Sequence, residues 1–188
     1  MFSVAELSQR TRDRSFTVAD ARRLIERSYY LAGTHADVHI QLGVLRPPDY
    51  HFQDLPQYEE RHLHSMFRSL EDASTAVAAG LNCDAGAAAG RFLGVTGVNR
   101  VALYSRSAAG ATPNMMVRSA IASMGARTGT MYGDHQTLLV VMVLSIYGGQ
   151  YVVLTTAYPT HGLSGRPIPP EGTDFLEYGN QRFAYPAV

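Results

Sequence analysis

The feature that most constrains this chain is a β-hairpin written into residues 137–157. Thr137 to Tyr147 is strongly β-prone, Gly148-Gly149 is a tight-turn signal, and Gln150 to Ala157 runs back as a partner strand. Strands joined by so short a turn pair antiparallel. Ahead of the hairpin, Val98 to Arg106 and Asn114 to Ala122 read as two further strands, and a Gly- and Thr-containing turn region follows them through Gly133.

The first half of the chain reads as helical. Thr17-Val18-Ala19-Asp20 pairs a hydroxyl cap with an acid three residues on, and predicts a helix from Val18 to Leu31 that Gly33 ends. A second helix is predicted from His35 or Ala36 to Leu45, stopped by Pro47-Pro48. Arg46 to His64 reads as a structured loop with a short helix at its end. Ser69-Leu70-Glu71-Asp72 opens a third helix to about Leu81, and Asp84 is expected to cap a fourth, Ala-rich one ending near Gly94. Helices first and strands second predict an α+β fold: N-terminal helices followed by an antiparallel sheet. No Gly-rich loop joins a strand to a helix, so a dinucleotide-binding array is not expected. Residues 1–16 read as a leader or linker, 17–160 as one domain, and 161–188 as a Pro/Gly-rich tail packed on that domain as ordered coil.

Composition narrows the chemistry. Apolar residues make up 46% of the 188, enough for a core. All sixteen cations are arginines, balanced by sixteen acids. Zero net charge excludes a broadly basic protein that coats nucleic acid, and the missing lysine excludes a Schiff base or a P-loop lysine. Cys83 is the only cysteine, so no intramolecular disulfide forms; at a predicted helix end it reads as a small buried hydrophobe. Met1 to Arg14 holds no apolar stretch of the kind a secretory leader needs. The longest apolar run, Leu138 to Ile146, is too short for a membrane helix.

Two clusters carry candidate chemistry. His35 and His39 stand four apart, on one face of the predicted helix. A zinc-peptidase pair needs Glu directly after the first His, where Ala36 stands, and no third ligand is evident, so no metal is expected. A single histidine acting as general base or acid suits the cluster better. Arg46 lies seven residues after His39, near the same face, and a guanidinium there could hold phosphoryl charge. The second cluster is Thr156 and Tyr158, which strand alternation places on one face. The remaining histidines, His51, His62, His64, His135 and His161, read as loop or turn residues.

These pieces together resemble the bacterial ribonuclease A-like toxin domains found at the C-termini of contact-dependent inhibition proteins and other polymorphic toxins. The likeness rests on Ser65-Met66-Phe67-Arg68-Ser69-Leu70 leading into Ala73-Ser74-Thr75-Ala76-Val77, and on Tyr151-Val152-Val153-Leu154-Thr155-Thr156-Ala157-Tyr158-Pro159. It covers about residues 30 to 160. In the family a catalytic His lies in a His-Val-Gly context with an Arg eleven residues on. His39-Ile40 matches that context by position, yet eleven residues on stands Tyr50; eleven residues after His35 stands Arg46. Either His39 works with a displaced Arg46, or His35 is the equivalent. Thr156 and Tyr158 match the family's threonine and tyrosine in type and separation.

The resemblance implies the kidney-shaped body of pancreatic ribonuclease A without disulfides, and no cofactor. It implies metal-independent RNA cleavage by attack of the ribose 2′-OH, leaving a 2′,3′-cyclic phosphate. The His would move a proton, Arg46 would take the charge-stabilising place that pancreatic ribonucleases give to a lysine, Thr156 would bind phosphate or base, and Tyr158 would position RNA or supply a proton. It further implies a secreted or injected toxin acting on RNA, not on DNA or membranes, in the cytoplasm of a competitor cell, with a cognate immunity protein in the producer. Two other readings stay open: a non-catalytic module such as an immunity or adaptor protein, and a toxin acting on a nucleotide such as NAD, to which Arg106 after Tyr104-Ser105 weakly points.

Overall fold

A computed structural model describes residues 1–29, 31, 64–123, 126–160 and 168–187. In chain order these form β1 (Phe2–Ser3), α1 (Val4–Arg12), α2 (Val18–Tyr29), β2 (His64–Met66), α3 (Leu70–Asn82), α4 (Asp84–Leu93), β3 (Arg100–Ser105), α5 (Arg106–Ala111), β4 (Asn114–Ser123), β5 (Ala126–Gln136), β6 (Leu139–Tyr147), β7 (Tyr151–Thr160), β8 (Thr173–Tyr178) and β9 (Gln181–Pro186). The fold is α+β. A six-stranded open sheet runs β1-β7-β6-β3-β8-β9, antiparallel throughout, and a three-stranded antiparallel sheet runs β2-β4-β5.

Local chemistry sets the helix starts. Ser3 caps α1 by accepting the Glu6 amide at 3.1 Å. At α2 the Asp20 amide donates to Thr17 Oγ1 while the Thr17 amide donates to the Asp20 carboxylate, closing a reciprocal box. Ser69 caps α3 through the Asp72 amide. The cap of α4 is Cys83 rather than the expected Asp84: its Sγ accepts the Gly86 amide at 3.4 Å and donates to the Gly80 carbonyl at 3.0 Å. Asp84 instead occupies the first turn, where its carboxylate suits the helix dipole and pairs with Arg14. A side chain at Gly86 would meet the Gly80 carbonyl at 2.3 Å, so only glycine lets α3 hand the chain to α4 so tightly.

The helices cover one face of the large sheet. Val101, Leu103, Met142, Leu144, Leu154 and Ala157 on the strands share one buried cluster with Leu24, Ile25, Val77, Leu81 and Ala89 on the helices. Small residues on α4 permit close approach: a Cβ at Gly90 would lie 2.5 Å from Thr11 Oγ1 of α1. Burial of this kind, at roughly 25 cal/mol per Å² of apolar surface, is what holds a chain without disulfides.

Four sequence expectations are corrected here. Residues 1–16 are no leader or linker: Phe2 pairs with Val152 in the sheet, and Phe2, Leu7 and Phe16 are buried in the core. The tail is not coil where it is described: β8 and β9 form a hairpin that extends the main sheet beside β3. The region up to Gly133 is not a turn but most of β5, paired with β4 along its length. Helices and strands are not fully segregated, since β1 precedes the helices and α5 follows β3. The predicted helix from His35 or Ala36, the Arg46–His64 loop with its short helix up to residue 63, and residues 161–167 lie outside the described residues.

Two features hold β7. Along its outer side β1 pairs only with Tyr151 and Val152. Beyond that, the buried Ser28 of α2 takes over: its Oγ accepts the Leu154 amide at 2.8 Å and donates to the Leu24 carbonyl at 2.7 Å. Pro159, which has no N–H to give, falls in the part of β7 that β1 does not reach, where a strand tolerates proline.

Candidate functional site on the β6–β7 face

The functional candidates meet the structure unevenly. His35, His39 and Arg46 lie outside the described residues, as do His51, His62 and His161. His64 begins β2 and His135 lies near the end of β5. Thr156 and Tyr158 are described, both on β7, and the geometry around them can be built up.

Odd-numbered residues of β6 point away from the helices. Val140, Met142 and Leu144 belong to the helix-side core, whereas Leu139 and Val141 cluster with Tyr104, Ala102, Tyr158 and Phe175 on the second face. Thr156 pairs with Val143 and Tyr158 with Val141, so both side chains stand on that second face. The expected common face of Thr156 and Tyr158 is therefore observed.

A β-bulge lies beside them. Leu144 pairs with Leu154 but Val143 pairs with Thr156, leaving Thr155 as the extra residue. Counted from the turn, alternation puts Val153 and Thr155 on the second face and would send Thr156 to the helix side; the bulge keeps Thr156 on the second face as well. The Thr155 hydroxyl lies 2.8 Å from Ser145 Oγ, on the face that Thr156 now shares. Three hydroxyls thus gather at one place: Ser145, Thr155 and Thr156. Thr156 Oγ1 is buried without a hydrogen-bond partner, one of two such side-chain atoms among the described residues; the other is Thr137 Oγ1. Leaving a buried hydroxyl unpaired costs about 1–3 kcal/mol, so a fold keeps one only where something else compensates.

The second face changes character along its length. Tyr104 and Val141 are 2% exposed, while Ser145, Thr155 and Thr156 are half-buried and Arg100, opposite Ser145, is exposed. The hydroxyl group sits at this boundary between covered and solvent-facing sheet. Farther across, Arg182 of β9 lies over the Phe175 ring and pairs with Glu177.

Two other candidates are accounted for structurally. Cys83 is no nucleophile: burial pushes its thiol up to about 12, and the Asp174 carboxylate adds to the rise. Arg106 is committed: its Nε and Nη2 both donate to the Pro169 carbonyl, at 2.8 and 2.7 Å. Its backbone amide, like that of Ser107, donates to the buried Asp174 at the start of α5. A cleft of about 580 Å³ lies elsewhere, between Ser3 to Ala5, Leu93 to Asn99 and the β6–β7 turn, and no titratable side chain lines it.

Sequence reasoning did not single out Ser145, Thr155 or Arg100. Ser145 and Arg100 each follow the alternation of their strand and could have been placed on the face of Thr156. That Thr155 shares a face with Thr156 could not be placed, because nothing in Leu154-Thr155-Thr156 announces a bulge. No protein-family model, no curated protein and no solved structure matches the chain.

Proposed function

We propose that the chain is a metal-independent endoribonuclease of the toxin type, built on a ribonuclease A-like body and acting on RNA in the cytoplasm of a competitor cell into which it is secreted or injected. The observation that carries this reading is the bulge on β7, which gathers the Ser145, Thr155 and Thr156 hydroxyls on the face of Tyr158 and leaves Thr156 Oγ1 buried and unpartnered. An unsatisfied hydroxyl donor on a half-buried stretch of strand suits a ligand rich in acceptors, and phosphodiesters and bases are such ligands.

The chemistry follows from the residue types. A histidine, His39 or His35, takes the proton of the ribose 2′-OH as that oxygen attacks phosphorus. Charge builds on the non-bridging oxygens, which Arg46 and the Thr156 hydroxyl stabilise. The bond to the 5′-oxygen breaks, and that oxygen leaves with a proton from the acid, for which Tyr158 is the candidate. The products are a 2′,3′-cyclic phosphate and a 5′-hydroxyl. No metal is needed at any step. The producing cell then needs an immunity protein, and with a toxin of zero net charge this partner recognises local shape rather than bulk charge.

The test is incubation of the purified protein with total RNA in excess chelator. Cleavage with cyclic-phosphate ends is expected, and Tyr158→Phe is expected to lower it by roughly 10²-fold or more. Alanine at His39 or at His35, whichever is the base, should abolish it. Full cleavage by the folded His35→Ala/His39→Ala variant would overturn the mechanism. RNA that stays intact under all conditions would move the chain to the class of binding modules.

A further inference from the structure

Tyr147 and Tyr151 are exposed aromatic rings, at 47% and 37% exposure. They are not scattered. They face each other across the β6–β7 turn as the last register pair of the hairpin. Tyr147 shares its face with Ser145 and Val143, and Tyr151 shares its face with Val153, the partner of Ser145. Both rings therefore stand exposed at the turn end of the second face, beyond the hydroxyl group and past the buried Val143 and Val153.

Arg100 stands in the same strip. It pairs with Ser145 from the neighbouring β3 and is exposed, and no acid among the described residues pairs with it. Four steps along β6 lead from Tyr147 to Val143, the partner of Thr156, a run of about 13 Å at strand rise. Strand spacing puts Arg100 about 10 Å to the side of β7. The strip thus reads, from the turn inward, as two open rings, a cation beside hydroxyls, and then Thr156 and Tyr158.

Exposed tyrosines on a strand face, with an arginine that no described acid pairs beside a hydroxyl cluster, are the elements of a stacking platform for single-stranded nucleic acid. Every base has a π-face, so such a platform grips without reading sequence. We infer that the turn end of the β6–β7 hairpin is a binding platform for single-stranded RNA, in which Tyr147 and Tyr151 stack on bases and Arg100 holds a backbone phosphate, next to the nucleotide at Thr156. This rests on the reading of the chain as an RNA enzyme, and it assigns the part of the substrate that is held rather than cut. It also explains how a chain of zero net charge grips a polyanion: stacking supplies the affinity that bulk charge does not.

The test uses the whole chain and a 2′-O-methyl oligoribonucleotide, which cannot be cleaved by 2′-OH attack, with binding read by fluorescence anisotropy. Tyr147→Ala/Tyr151→Ala is expected to weaken binding by roughly 30-fold or more, the product of two lost base–aromatic stacks. Tyr147→Phe/Tyr151→Phe keeps the rings and should bind as the parent does. Arg100→Ala should lower the slope of log K against log salt by about 0.7, one phosphate contact on a single strand. All these side chains are exposed, so the variants should keep the parent's thermal midpoint. Because the probe is never cut, a platform without catalysis and catalysis without a platform give different results. Parent-like binding by the double alanine variant would overturn the inference and leave the tyrosines to a protein surface. Absence of binding by the parent would overturn it as well.

Discussion

The hydroxyl of Ser28 joins the helical layer to the strand that carries the candidate site, and its removal should be felt in both. Ser28 is fully buried; its Oγ donates to Leu24 O and accepts from the Leu154 amide, immediately before the bulge at Thr155. Ser28→Ala leaves the Leu154 N–H buried with that acceptor gone, a cost of about 1–3 kcal/mol. Alanine is the better helix former by about 0.5 kcal/mol, which offsets part of it. The net loss is about 0.5–2.5 kcal/mol, against a total stability of about 5–15 kcal/mol for a domain. At about 2–4 °C per kcal/mol for a chain of this size, the thermal midpoint should fall by about 1–10 °C, centred near 5 °C. Urea unfolding should show a lower midpoint with the slope unchanged, since the same surface is exposed. Hydrogen exchange should show the Leu154 amide losing protection by local opening, well beyond what the global loss explains. A Ser28→Ala protein whose midpoint and Leu154 protection both match the parent would refute the idea that this hydroxyl closes the outer side of β7.

Three further outcomes follow from particular side chains. Thr156→Val removes a buried hydroxyl that has no partner, so it should leave stability unchanged or raise it by about 1 kcal/mol while RNA cleavage falls; a clear loss of stability in urea would assign the hydroxyl a structural role instead. Cys83 should resist iodoacetamide in the folded protein at neutral pH because its thiol is buried and raised, and Cys83→Ser should keep the cap of α4 while Cys83→Val should cost about 1 kcal/mol in thermal unfolding. Burial alone would raise the Asp20 carboxyl, but hydrogen bonds from Thr17 and the charges of Arg10 and Arg23 outweigh it and hold the group below its ordinary value near 3.8. A lowered folded value means its stabilisation is present above that ordinary value and is lost as pH falls through the depressed one. Asp20→Ala should therefore be less stable than the parent at pH 7, and the gap should close in unfolding curves taken progressively below pH 4.

What could be read in advance follows the range of the interactions that set it. The starts of α2 and α3 are local: Thr17 with Asp20 and Ser69 with Asp72 close within one turn, so the chain announces them. The β6–β7 hairpin is local too, and Gly148 and Gly149 adopt the positive φ values, 59° and 75°, that its turn requires. The common face of Thr156 and Tyr158 needs only strand alternation. The elements that could not be read are settled by partners far along the chain. Phe2 is a strand residue because Val152 lies beside it, and β8 is a strand because β3 offers it an edge, despite the prolines and glycines around it. Cys83 acts as a cap only because the short hand-over from α3 to α4 puts its sulfur under the Gly86 amide, a role that side chain rarely takes. The bulge at Thr155 belongs to the same class. It depends on how β7 is held from both sides, by β6 on one and by Ser28 on the other, and no neighbouring residue demands it. That is why the most informative part of the candidate site is the part the sequence conceals: two threonines that look like alternating strand residues are turned to one face by long-range pairing, and the hydroxyl left without a partner is the one the proposed substrate would satisfy.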